Sequence, residues 1–245
     1  MDILVQAFHT ISYMGLPLLF AIVLHEYAHG WMAEQRGDQT ARLHGRLTMN
    51  PLAHIDLLGT VIVPIMCLLL PGSFLLGWAK PVPVNPRNMD RPRRDMALVA
   101  AAGPAMNLIL AVASAFLLAL LRAGEPTLSP QQQPDIEDTS SLFTAMVLRP
   151  IATMAFYSVI INVFLALFNL IPIPPLDGGR VLTCLLPAKP AMALARLEPY
   201  GMLILVGLIV FDKELRVIHT ISSTLVSDLA GTILSAALGI GSPAP

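Results

Sequence analysis

His25, Glu26 and His29 stand in the order His-Glu-x-x-His, which puts two imidazoles one turn apart on a single helix face. Ring nitrogens at that spacing can grip a zinc ion. A glutamate beside the first histidine can take a proton from a water that the metal activates. The setting is as informative as the pattern. Leu18 to Leu24 form an unbroken apolar run just before the motif, and Trp31, Met32 and Ala33 follow it. Two histidines and a carboxylate are costly to place in lipid, so ionisable groups there are functional candidates by default. The residues imply a hydrolytic metal centre set inside a bilayer.

Catalytic zinc usually takes three protein ligands and keeps one position open. The best third candidate is Asp177, in the stretch Asn169-Leu170-Ile171-Pro172-Ile173-Pro174-Pro175-Leu176-Asp177-Gly178-Gly179-Arg180. The prolines end the helix that begins near Val147, and the unwound turn can aim a carboxylate inward. The paired glycines let the backbone turn back close to other elements. Irregular backbone at membrane depth is tolerated only where protein or a wet cavity surrounds it. Glu34, five residues past His29, is too near on the same helix to reach the metal.

The elements that must position these groups follow from composition. Of 245 residues, 55% are apolar and 13% charged, about half the charge of a soluble domain. A net charge of −1 gives no case for a nucleic-acid partner. Cys67 and Cys184 are far apart and belong to no metal-spaced cluster, so they read as buried small side chains. Asp2 stands where a signal peptide would be basic, so the first apolar helix is expected to stay on the chain. Apolar stretches fall at about 4–35, 57–71, 96–121, 145–171, 197–211 and 217–240. A crossing helix needs about 20 residues. The first, third and fourth meet that length, with a kink possible at Pro17. The fifth meets it if Arg196 and Glu198 lie at the interface. The second contains Gly59 and Pro64 and suits a re-entrant course. The last is broken by Ser222, Ser223, Ser227 and Asp228, so it either spans with a polar face or lies at the interface.

Basic residues orient these elements, because Lys and Arg concentrate in cytoplasmic loops. Segments 36–54, 72–95 and 172–196 hold eleven of the fifteen, whereas 123–148 has none. The first three are then cytoplasmic, and the polar 122–142 loop is external. His25, His29 and Asp177 lie toward the cytoplasmic ends of their helices. One metal can join them only if those helices run parallel, which an odd number of crossings between them allows. Only 96–121 crosses if 57–71 dips in and returns, so charge and metal agree. The expected fold is an all-α polytopic membrane protein. Three transmembrane helices carry the zinc site, with additional C-terminal helices, a re-entrant segment and a short extended or β segment at 72–95 on the cytoplasmic side. Residues 1–245 form one domain. Within 72–95, Pro81, Pro83 and Pro86 confine any strand to an edge, to which an unwound substrate could add as a further strand.

Three ordered motifs carry a family resemblance: His25-Glu26-Tyr27-Ala28-His29, Ala102-Gly103-Pro104-Ala105-Met106-Asn107, and Asn169 through Gly179. Segments 45–51 and 77–86 add to it. Over about 15–215 the chain resembles the site-2 proteases, zinc intramembrane metalloproteases, in their short bacterial form without PDZ or CBS domains. The resemblance implies one zinc on His25, His29 and Asp177, with Glu26 as general base. Asn169 would steady the substrate or the oxyanion. It also implies cleavage of a transmembrane segment of another protein; the expected substrate is a single-span membrane protein, cut at the cell membrane toward the cytoplasmic side that the basic residues assign. The rivals are a membrane metal transporter and a zinc-binding scaffold that does not cut; neither needs Glu26. Gly103 and Asn107 read as a close-packing face, and Asn162 as a helix–helix bond. His44, His54 and Asp56 read as interfacial anchors, and Arg91, Arg93 and Arg94 as a headgroup face. Substrate identity and oligomeric state have no mark in the sequence.

Overall fold

A computed structural model of the chain describes residues 2–62, 78–124, 143–211, 216 and 220–239. Eight α-helices form among them: α1 (Asp2–Gln35), α2 (Thr40–Leu43), α3 (Pro92–Gly124), α4 (Arg149–Asn169), α5 (Asp177–Leu185), α6 (Ala188–Ala195), α7 (Gly201–Val210) and α8 (Ser227–Leu238). Helix α1 has 34 residues and stays helical through Pro17. At 1.5 Å per residue it is about 51 Å long, well beyond the roughly 30 Å hydrocarbon core.

Among the described residues, three helical stretches are long and apolar enough to cross a membrane: Pro92–Gly124, Met146–Asn169 and Ala188–Leu208. Helix α3 shows the physical reason. Ile109, Val112, Phe116 and Leu120 are all more than half exposed, whereas Ala111 and Ala115 are buried. Large apolar side chains outside and small ones inside reverse the water-soluble pattern; they suit lipid outside and close helix packing within. The protein is polytopic. Its third candidate span begins at Ala188, earlier than the sequence suggests, and runs through α6, a 3-10 turn at Glu198–Tyr200 and into α7.

The chain forms two compact units. One comprises Met1–Ala21, Pro104–Ile171 and Pro199–Pro245; the other comprises Ile22–Gly103 and Pro172–Glu198. In the first unit, Leu118, Ala152 and Ala155 pack with Leu121, Phe156 and Leu234. A polar relay runs beside them. Asn107 donates to Asn162 Oδ1 at 2.8 Å, Asn162 donates to the Ser158 carbonyl at 2.8 Å, and Ser114 Oγ meets Ser158 Oγ at 2.8 Å. Both asparagines are fully buried. Asn162→Leu should cost about 1 kcal/mol and lower the thermal midpoint in detergent by a few degrees. An unchanged midpoint would show that the bond contributes nothing.

The second unit corrects the sequence reading at one point. Of the extended or β segment expected at 72–95, residues 72–77 lie outside those described and the rest forms no strand: no strand occurs among the described residues, and 78–85 is irregular chain leading to a 3-10 turn at Pro86–Asn88. A ladder needs donors and acceptors alternating along one partner strand. Here Pro81, Pro83 and Pro86 donate nothing, and four of the other N–H groups go to scattered partners. Trp78 bonds the Gly59 carbonyl at 3.0 Å and Lys80 the His54 carbonyl at 2.9 Å. Val82 bonds Glu26 at 2.9 Å and Asn85 bonds Asp38 at 2.6 Å. With those donors taken, the segment offers no regular ladder edge among the described residues. The re-entrant course of 57–71 falls mainly on residues outside those described, as does most of the 122–142 loop. Of that stretch, Leu57–Ile62 forms one π-type turn.

Candidate metal centre

His25 and His29 lie on one face of α1, and Asp177 is the first residue of α5. All three are buried. The Asp177 side reaches the centre because residues 170–176 leave the helical path and fold back. A Cβ on Gly179 would fall 2.6 Å from the Ile173 carbonyl carbon, so only glycine lets the turn close this tightly. His25 Nε2 is 3.1 Å from Asp177 Oδ2 and 3.1 Å from His29 Nε2; His29 Nε2 is 3.3 Å from the same Oδ2.

These separations test the donors against a metal. A tetrahedral zinc roughly 2.0–2.2 Å from each donor sets them about 3.3–3.6 Å apart, within a few tenths of an ångström of the distances found. The second ring nitrogen supports the fit. His29 Nδ1 lies 2.7 Å from the Val99 carbonyl. A carbonyl only accepts, so Nδ1 carries the proton and the Nε2 lone pair faces the other two donors. One ion fits among the three residues.

Gly103 of α3 closes the centre from another side. A Cβ there would stand 2.6 Å from His25 Nε2 and closer still to His29 Nε2. The close-packing reading of Gly103 holds, and its partners are the two imidazoles themselves. Asn107 packs instead on Asn162.

Glu26 Oε2 accepts the Val82 N–H, and no Lys or Arg pairs with Glu26 among the described residues. Glu34 pairs with Arg42, Nε to Oε1 at 2.5 Å, which accounts for it without the metal. Asn169 ends α4 in the first unit and donates to the Leu165 carbonyl at 3.0 Å. His44 is exposed, His54 bonds the Thr48 carbonyl at 2.8 Å, and Asp56 caps the turn at Gly59. Cys67 lies outside the described residues. Cys184 is half-buried, and burial pushes its thiol up despite the nearby Arg93 cation.

Asp38 has no place in the sequence reading, yet it is fully buried just past α1. It accepts the Asn85 N–H at 2.6 Å, the Asn88 amide at 2.8 Å, the Thr40 N–H at 3.1 Å and the Thr40 hydroxyl. Burial raises its pKa, but the Thr40 hydroxyl and the other donors outweigh this and hold it below the ordinary value of 3.8. A depressed carboxyl adds stability that is full above its unfolded pKa and is lost as pH falls through its folded one. The thermal midpoint should therefore fall more steeply below about pH 4 in the wild type than in Asp38→Asn. Parallel curves would refute that account. The sequence signal was the short Asp38-Gln39-Thr40 spacing of a side-chain-capped turn.

Helices long enough to span lipid, and a buried His/His/Asp triad with a glutamate on the same helix turn, define a membrane metallohydrolase. The chain belongs to peptidase family M50, whose model matches residues 13–211. It is similar to YwhC of Bacillus subtilis, which carries a provisional zinc-metalloprotease name: 35% identity over 81% of this chain and 80% of that one. Two proteins named Rip2, provisional zinc metalloproteases too, are also similar. That of Mycolicibacterium smegmatis is 30% identical over 82% of this chain and 70% of its own. That of Mycobacterium tuberculosis H37Rv is 29% identical over 78% and 63%. No solved structure matches the chain. Family and triad together make this protein a zinc-dependent intramembrane metalloprotease, as the site-2 protease resemblance implies.

Proposed function

We propose that Glu26 is the general base of peptide hydrolysis, that the centre opens toward the cytoplasm, and that the substrate is a single-span membrane protein. The observation that carries the first point is the setting of Glu26. Its carboxylate shares a helix turn with the two histidines and has no cationic partner among the described residues, so a structural ion pair does not account for it. His25, His29 and Asp177 would hold the metal, which would supply polarisation of the water and the scissile carbonyl. Glu26 takes the proton from the attacking water and later delivers it to the leaving amine. Asn169 is assigned to steady the substrate backbone near the bond being cut, on the strength of the family motif alone. Eleven of fifteen basic residues in 36–54, 72–95 and 172–196 support the cytoplasmic side.

The test is to incubate the purified protein with single-span substrates and map the cut by mass. Cleavage within or beside the transmembrane segment is expected. Chelation should abolish it, and zinc should restore it to at least half. A cut that persists in chelator, or that falls only in soluble regions, would overturn the proposal.

A further inference from the structure

The Glu26 carboxylate meets a backbone group that the fold takes unusual trouble to hold. Pro81 and Pro83 carry no N–H, so Val82 is the sole backbone donor of the Pro81-Val82-Pro83 triplet, and it gives that hydrogen to Glu26 Oε2 at 2.9 Å. The chain on either side is clamped. Arg46 donates to the Lys80 carbonyl at 2.7 Å, to the Pro81 carbonyl at 3.3 Å and to the Ala53 carbonyl. Asp38 receives Asn85 and Asn88 at the other end. Between the clamps the Val82 side chain is buried in a notch that exists because residue 30 is glycine: a Cβ there would lie 3.0 Å from Val82 Cγ1.

We propose that the Val82 N–H is a positioning group for Glu26, and that the segment from Trp78 to Asn88 is held by Arg46 and Asp38 to keep that one donor in place. The inference rests on Glu26 being the base. A glutamate has three side-chain torsions and can present its carboxylate in many directions. A fixed N–H on Oε2 removes most of them and leaves Oε1 with a set orientation for proton transfer. Loss of such orientation costs rate without weakening substrate binding. A segment that instead gripped the substrate would act on KM.

Two variants separate the donor from the side chain. Val82→Ala keeps the N–H and empties the notch, and it is the reference that reports the loss of the side chain alone. Val82→Pro deletes the N–H, and should lower kcat at least tenfold relative to Val82→Ala with KM unchanged and one zinc per chain. Equal kcat in the two variants would overturn the proposal, as would a change confined to KM. Arg46→Ala loosens the segment without touching Val82 and decides the matter if Val82→Pro does not fold. A tenfold lower kcat at unchanged KM supports the proposal, and wild-type kcat overturns it. A readout free of activity comes from amide exchange in the zinc-free protein. Val82 should be protected in wild type and exchange at least tenfold faster in Glu26→Ala; equal rates would overturn the contact. Full cleavage by Glu26→Gln would instead sink the general-base reading, a failure distinct from any of these.

Discussion

Glu26→Gln should lower cleavage about a thousandfold while the protein still holds one zinc per chain. Glutamine keeps the shape of glutamate, and its amide oxygen can still accept the Val82 N–H that Oε2 accepts now. What it loses is the ability to take a proton. General acid–base groups contribute roughly 10²–10⁴ in rate, so a thousandfold loss is the middle of the range. The metal should stay because the ligands His25, His29 and Asp177 are untouched. Metal analysis beside a cleavage assay checks both halves at once. A transporter or a non-cutting scaffold built on this site would keep its function in the variant, so retained cleavage or lost zinc each refutes the assignment.

The second large effect comes from one methyl group. Gly103→Ala should weaken zinc binding by a hundredfold or so, in the upper part of the range for disturbing groups that orient ligands, with cleavage falling alongside. The added carbon would sit 2.6 Å from His25 Nε2 and nearer to His29 Nε2, well inside van der Waals contact. The α3 backbone cannot yield by an ångström without moving Val99, whose carbonyl orients His29. The imidazoles must turn away instead. Gly15→Ala is the matched control, since a Cβ there meets nothing within 4 Å, and it should bind zinc normally. Titration against a zinc buffer measures both. A Gly103→Ala protein with wild-type zinc affinity would mean that the packing is looser than the distances state.

The parts of the centre that were legible in the sequence are those whose chemistry belongs to side chains. His25, His29 and Asp177 declared themselves because imidazole and carboxylate are expensive in an apolar setting, and all three meet at 3.1–3.3 Å. Gly103 was half legible. A glycine four residues before a buried asparagine signals close approach, but not what approaches. The Val99 carbonyl and the Val82 N–H left no trace, because every residue has a carbonyl and nearly every residue an N–H. The segment around Val82 was misread for a related reason. Its prolines exclude a helix and favour extended torsions, yet a strand also needs a partner, and partners are set by tertiary contacts with Glu26, Arg46 and Asp38. The long apolar helices were visible from length and composition. The start of the third span at Ala188 was not, since Lys189 and Pro190 mask its first turn.

His29 and Asp177 stand 148 residues apart in the chain, and the metal needs both. Zinc would therefore close a very long loop, and a ribosome must add 148 residues after His29 before the third ligand exists. Until then the two histidines and the glutamate of α1 stand without a finished centre, and the full ligand set arrives only with the late segment that begins α5. A three-ligand site split this way acts as a timer on the birth of its own activity.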